Sequence, residues 1–142
     1  VQTSSNLGIF YVADGQLAAS ASVRSSVASE KEMLLDRFAA LCALLGASME
    51  ITGDYPAWEY QRDSALRDTM VRVFTEQYGH APKIKAIHAG LECGLFSGKL
   101  PGLDCVSFGP DLTDIHTPRE RMHIASVQRT WALLWEVLKR SR

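Results

Sequence analysis

Two stretches of this chain carry residues with chemistry to offer, and both fall between residues 88 and 120. The first reads Ile87-His88-Ala89-Gly90-Leu91-Glu92-Cys93-Gly94, a glycine-bracketed turn that leaves a β-rich run and enters a short helix. Backbone N–H groups at such a helix start have no partner inside the helix, so Gly90, Leu91, Glu92 and Gly94 outline a seat for an anion. The second stretch reads Ile115-His116-Thr117-Pro118-Arg119-Glu120. His116 follows a β-rich run and a Gly109-Pro110 break, and a Thr-Pro pair fixes the backbone behind it. With Asp111, Asp114 and Glu120 close by in sequence, it is a candidate metal ligand. Each of these residues also has a plainer reading. Glu92 in a first helical turn suits the helix dipole as well as it suits acid–base work. His88 at a strand end reads as a structural histidine, and a lone histidine in a polar loop, as His116 is, reads as an ordinary surface residue.

The elements that must hold these stretches follow from the hydrophobic pattern. Asp63 is a plausible cap for a helix whose apolar face runs Leu66, Met70, Val73, Phe74 and whose end is Gly79. Ile84, Ala86 and Ile87 form a strand, a short helix runs from Leu91 to about Lys99, and residues 105–108 form a second strand. A last helix starts near Ser126 and packs Val127, Thr130, Trp131, Leu134, Val137 and Leu138. Helix alternating with strand implies a parallel or mixed sheet with helices on both faces. Two strands are too few for such a sheet, so this half reads as the C-terminal part of a larger α/β domain.

Upstream, residues 7–12 and 17–23 are β-rich and flank Asp14-Gly15, a hairpin signal. Arg24 closes the polar face that Ser20 and Ser22 begin, and taken alone it is a solvated edge arginine. Ser29 and Glu32 have capping-box spacing ahead of Met33, Leu34, Phe38, Leu41 and Leu45, with Gly46 as the stop. Ala47, Met49 and Ile51 then alternate with polar residues as a third strand over residues 47–52. Three strands and one helix make a small α+β unit, which is expected to need a further element or a partner subunit. Residues 53–60 read as the crossing to the second half.

Composition narrows the function classes. The 142 residues are 46% hydrophobic and 22% charged, enough for one medium domain or two small ones. Fifteen basic and sixteen acidic residues are interspersed, for a net charge of -1, which leaves no basic face for nucleic acid. No apolar run reaches the roughly 20 residues that span a bilayer, and no signal pattern opens the chain, so neither a membrane nor export is expected and the location is read as cytoplasmic. Three cysteines without C-x-x-C spacing argue against a disulfide framework or a thiolate zinc cluster. Val1 opens the chain without an initiator methionine, which suggests that it begins partway through a longer one.

Ile-His-Ala-Gly-Leu-Glu-Cys-Gly, then Ser-Phe-Gly-Pro, then His-Thr-Pro-x-Glu-Arg resemble the C-terminal part of the aminoacyl-histidine dipeptidases, also called Xaa-His dipeptidase or peptidase D. These are members of a superfamily of zinc exopeptidases that includes the carboxypeptidase G type and the peptidase T tripeptidases. Thr3-Ser4-Ser5-Asn6-Leu7-Gly8, Ser22-Val23-Arg24-Ser25-Ser26 and Tyr55-Pro56-Ala57-Trp58 are similar to segments of that family's lid domain, in the same order.

The resemblance implies an α/β fold in which residues 1–57 are half of an α+β lid that also forms a homodimer contact. Residues 58–142 would be the C-terminal segment of a three-layer α/β/α zinc-peptidase domain. It makes His116 one ligand of a two-zinc centre, and it gives the Gly90–Gly94 turn and Arg24, with Asn6 in the loop leading into the lid, to the terminal carboxylate of a dipeptide substrate. The other metal ligands and the general base would lie in an N-terminal segment outside this chain, so the enzyme would hydrolyse Xaa-His dipeptides while this chain alone would not. The competing reading is a complete, non-catalytic α/β interaction module with His116 at its surface.

Overall fold

Asp14 and Gly15 both hold positive φ, 52° and 74°, which a two-residue type I′ turn demands and which Asp-Gly supplies at little cost. The turn joins β1 (Thr3–Ala13) to β2 (Gln16–Ser25) in an antiparallel ladder. This hairpin belongs to the computed structural model of the chain, which describes residues 1–141 as a mixed α/β structure. The register slips between Leu7 and Ile9, so Gly8 is the extra residue of a bulge. The slip decides which side chains share a face. Ser4 lies opposite Arg24 and Asn6 opposite Ser22, while Leu7, Phe10 and Val12 lie opposite Ala21, Ala19 and Leu17 on the other face.

Helix α1 (Ala28–Leu45) lies on the side of the hairpin that carries Thr3 and Ser25, since Thr3 donates to Glu30 of that helix as well as bonding Ser25 at 2.8 Å. The Ser29 capping box does not form. The cap is Val27 and the helix begins two residues earlier: Ala28 N–H donates to the Glu59 carboxylate at 3.0 Å and Val27 N–H to Ser25 Oγ at 3.0 Å, so a distant acid and a preceding serine serve these donors. At the other end Gly46 takes the left-handed conformation, φ 67°, and Ala47 N–H reaches the Cys42 carbonyl at 2.8 Å, closing the helix as the sequence predicts.

Helix α2 (Ala65–Tyr78) is capped by Ser64 rather than Asp63. Ser64 Oγ accepts from Arg67 N–H at 3.0 Å and donates to Asp104 at 2.6 Å, while the other Asp104 oxygen accepts Leu66 N–H at 2.9 Å. Gly79, φ 74°, ends it. After helix α3 (Glu92–Lys99) come β3 (Leu112–Thr113) and β4 (Arg121–Met122), a two-residue ladder, and helix α4 (Ile124–Arg140). The core is Met70 and Val73 of α2 against Leu133 and Val137 of α4, with Leu66, Phe74 and Val106 packed around it.

The buried face of α4 differs from the predicted one. Ser126, Leu133 and Val137 are buried, whereas Trp131 and Leu138 are 64% and 55% exposed. The helix carries apolar residues on more than one stripe, so periodicity alone does not choose which stripe meets α2. Residues 47–52, 84–87 and 105–108, each read as a strand, pair with nothing among the described residues. Their composition suits a sheet, but a strand exists only with a hydrogen-bonded neighbour, and the described residues supply none to them.

The contacts group Val1–Gln61 with Lys85–Gly102 as one compact unit, and Arg62–Ile84 with Leu103–Arg142 as another. Residues 85–102 therefore belong with the first unit, where Gly90 lies against Tyr55 and Gly94 and Gly98 against Pro56.

Candidate functional site

At the end of the hairpin remote from its turn, the face turned away from α1 is polar, and it opens into a cleft of about 260 Å³ lined by Ser4, Asn6, Ser22, Arg24 and His88. Four of these come from two directly opposed pairs of β1 and β2, and His88 comes from the segment that precedes α3. No acidic side chain lines it. Among the described residues, none of the five side chains has a hydrogen bond or ion pair with the protein, so the donors of Arg24, Asn6 and the two serines face the cleft without protein acceptors. Such a constellation suits a small anion with several acceptor sites, a carboxylate above all.

Two residues expected to share a site, Arg24 and Asn6, are thus brought together. Asn6 lies within β1 rather than in a loop before it, because Thr3 to Asn6 join the ladder despite their polarity. Gly90, Leu91, Glu92 and Gly94 are not among the residues lining the cleft. Leu91 is the N-cap of α3 without a side-chain cap bond, and Glu92 is an exposed first-turn acid. Gly94 N–H is engaged with the Leu91 carbonyl at 3.0 Å.

The glycines here answer to packing. A Cβ on Gly90 would stand 3.2 Å from the Tyr55 ring, and one on Gly94 would stand 3.0 Å from the Pro56 carbonyl oxygen. The loop they press on is anchored in turn. Buried Lys31 of α1 pairs with Asp54 at 2.7 Å and donates to the Tyr55 carbonyl at 2.8 Å.

His116 belongs to the other unit. It is exposed, and its φ of 65° lies in the left-handed region, which costs a side chain with a Cβ roughly 1 kcal/mol or more. The turn compensates. His116 N–H donates to Glu120 at 2.9 Å, Thr117 Oγ1 to the Asp114 carbonyl at 2.7 Å, and β3–β4 closes the loop. Two of the three acids that neighbour His116 in sequence are otherwise occupied: Asp111 pairs with Arg129 at 3.0 Å and Glu120 holds the His116 backbone. Among the described residues no three His, Cys, Asp or Glu converge as a metal site. His116 offers one imidazole on a fixed turn, and the residues present do not complete a zinc centre.

Sequence reasoning missed Ser4, Ser22, His88 and Tyr55. Ser22 was within reach, sharing a strand face with Arg24. Ser4 was not, because the bulge at Gly8 shifts the register counted back from the turn.

Known proteins bear on this geometry. No protein-family model matches the chain. The cytosol non-specific dipeptidase of Escherichia coli (strain K12) is 37% identical over 139 residues, 98% of this chain. The crystal structure of aminoacylhistidine dipeptidase from Vibrio alginolyticus superposes with a TM-score of 0.85 at 34% identity, over 99% of this chain. The likeness to the aminoacyl-histidine dipeptidases runs the length of the chain. The chain spans 29% of the length of each of these two proteins. The resemblance of the chain to these dipeptidases therefore stands.

Proposed function

We propose that this chain is the C-terminal segment of a metal-dependent dipeptidase and that its hairpin cleft receives the substrate's terminal carboxylate. The observation that supports this most directly is Arg24, a cation without a protein partner in a cleft of neutral donors, within a chain that matches dipeptidases from end to end. The guanidinium forms two parallel hydrogen bonds to a carboxylate, and Asn6, Ser4 and Ser22 supply further donors at its rim. Gly90, Leu91, Glu92 and Gly94 do not line the cleft themselves and follow directly on His88, which does. An exopeptidase needs such a seat, since reading the free carboxylate is how it measures distance from the chain end to the bond it cuts.

The resemblance implies two zinc ions, and His116 is the residue here assigned to hold one. Bound metal would supply an activated water and polarise the scissile carbonyl. The other ligands and the base come from outside this chain, so the chain by itself is inactive. The whole enzyme takes dipeptides ending in histidine, works in the cytosol and dimerises through residues 1–57.

The test is made on the full-length protein that contains this chain. It is expected to hydrolyse Xaa-His dipeptides, and His116→Ala is expected to lose activity together with bound metal, measured by elemental analysis of the purified protein. Glu92→Gln is expected to leave metal content intact. Full metal and full activity in the His116 variant would remove the metal assignment, and absence of dipeptidase activity in the unmodified protein would favour the interaction-module reading.

A further inference from the structure

His88 lines the same cleft as Arg24, and no described residue engages its imidazole. A carboxylate offers about four acceptor positions, of which one arginine fork uses two. A ring N–H beside the guanidinium supplies a further donor for one of the remaining positions.

The place of His88 is set from below. Two residues on, Gly90 lies against the face of Tyr55 so closely that a Cβ would meet three ring carbons at 3.2 to 3.3 Å. Gly94 and Gly98 rest on Pro56. The Tyr55 and Pro56 floor is tied to α1 by Lys31, whose ammonium is buried between Asp54 and the Tyr55 carbonyl. A shift of Tyr55 would therefore move the turn that carries His88.

We propose that His88 contacts the substrate's terminal carboxylate beside Arg24, and that Tyr55, held by Lys31, is the positioning residue that sets the His88 turn through Gly90. This rests on the carboxylate reading of the cleft given above.

The experiment uses the full-length protein with a Xaa-His dipeptide as substrate, and free histidine and histidinamide as competing product analogues with and without the carboxylate. His88→Ala is expected to raise KM about tenfold at nearly constant kcat and to narrow the preference for histidine over histidinamide by a similar factor. His88→Gln, which retains an N–H donor, is expected to recover part of both. Gly90→Ala is expected to reproduce the His88→Ala pattern, because the added methyl displaces the turn from Tyr55. Tyr55→Leu leaves the carbonyl that Lys31 uses and serves the same purpose if Gly90→Ala does not fold, thermal unfolding of each variant being the control. If Arg24→Ala raises KM while His88→Ala changes neither KM nor the preference, the role of His88 is overturned and the carboxylate cleft survives. If Arg24→Ala is equally silent, the cleft reading itself fails. Wild-type behaviour in both Gly90→Ala and Tyr55→Leu overturns the positioning role of Tyr55.

Discussion

Arg24 is an exposed cation at a strand end with no carboxylate paired to it among the described residues, which adds little stability and leaves it open to a ligand. Arg24→Ala should therefore leave unfolding within about 0.5 kcal/mol of wild type, as for surface positions without partners. In the proposed full-length enzyme it should cost roughly 2 to 4 kcal/mol of kcat/KM, since a desolvated charged pair is lost on binding. Arg24→Lys, with the charge but without the fork, should fall between. Steady-state kinetics and thermal melts check both parts, and equal kinetics for all three proteins would refute the assignment. At this scale the sequence was legible where alternation fixes a face, as for Ser22 and Arg24. It was blind where a residue's importance comes from what a distant loop presses on it: Gly90 looked like an anion turn, yet the Tyr55 ring is what excludes a side chain there.

Elements were legible where the signal is local. Both Gly46 and Gly79 end helices in the left-handed conformation, as their positions after apolar periodic runs foretold. Helix starts were misread because groups remote in sequence share in satisfying them: Glu59 beside Ser25 for α1, and Asp104 beside the Ser64 cap for α2. Residues 47–52, 84–87 and 105–108 have strand composition but no ladder, since pairing depends on a partner rather than on the run itself. The α2–α4 pair offers a test through pH. Arg140 hydrogen-bonds Glu136 at 2.9 Å and Glu76 at 2.6 Å, and its bond to Glu136, aided by Lys139, lowers that carboxyl below its ordinary value of 4.5. A depressed carboxyl contributes stability above its unfolded value and loses it as pH falls through the folded one. Glu136→Gln should thus be slightly less stable than wild type near neutral pH, and the two should converge in acid, once Glu136 is protonated in the folded state as well. Denaturant titrations at neutral and acid pH decide it; a gap that persists in acid would mean that Glu136 acts by packing instead.

For the molecule as a whole, the distribution of exposed apolar groups separates what this chain completes from what it leaves open. The buried apolar side chains Met70, Val73, Leu133 and Val137 all belong to the α2–α4 unit. In the hairpin unit Leu7, Ile9, Phe10, Tyr11, Val12 and Leu17 are each more than half exposed, as they are along a two-stranded ladder with both edges unpaired. On α4, Ile124, Trp131, Trp135 and Leu138 recur at helical spacing as a second, uncovered stripe. Apolar faces of this kind, together with unpaired strand edges, recruit other chains. In the proposed enzyme the remaining polypeptide and a lid partner cover them. The isolated 142-residue chain is therefore expected to associate with itself in light scattering, to bind zinc weakly in calorimetry because one imidazole lacks companion ligands, and to leave a Xaa-His dipeptide uncut. These outcomes share one cause, so they should appear together: a monomeric chain that hydrolyses the dipeptide would show that the catalytic machinery is present within these residues and that the division proposed between this chain and the rest of the enzyme is wrong.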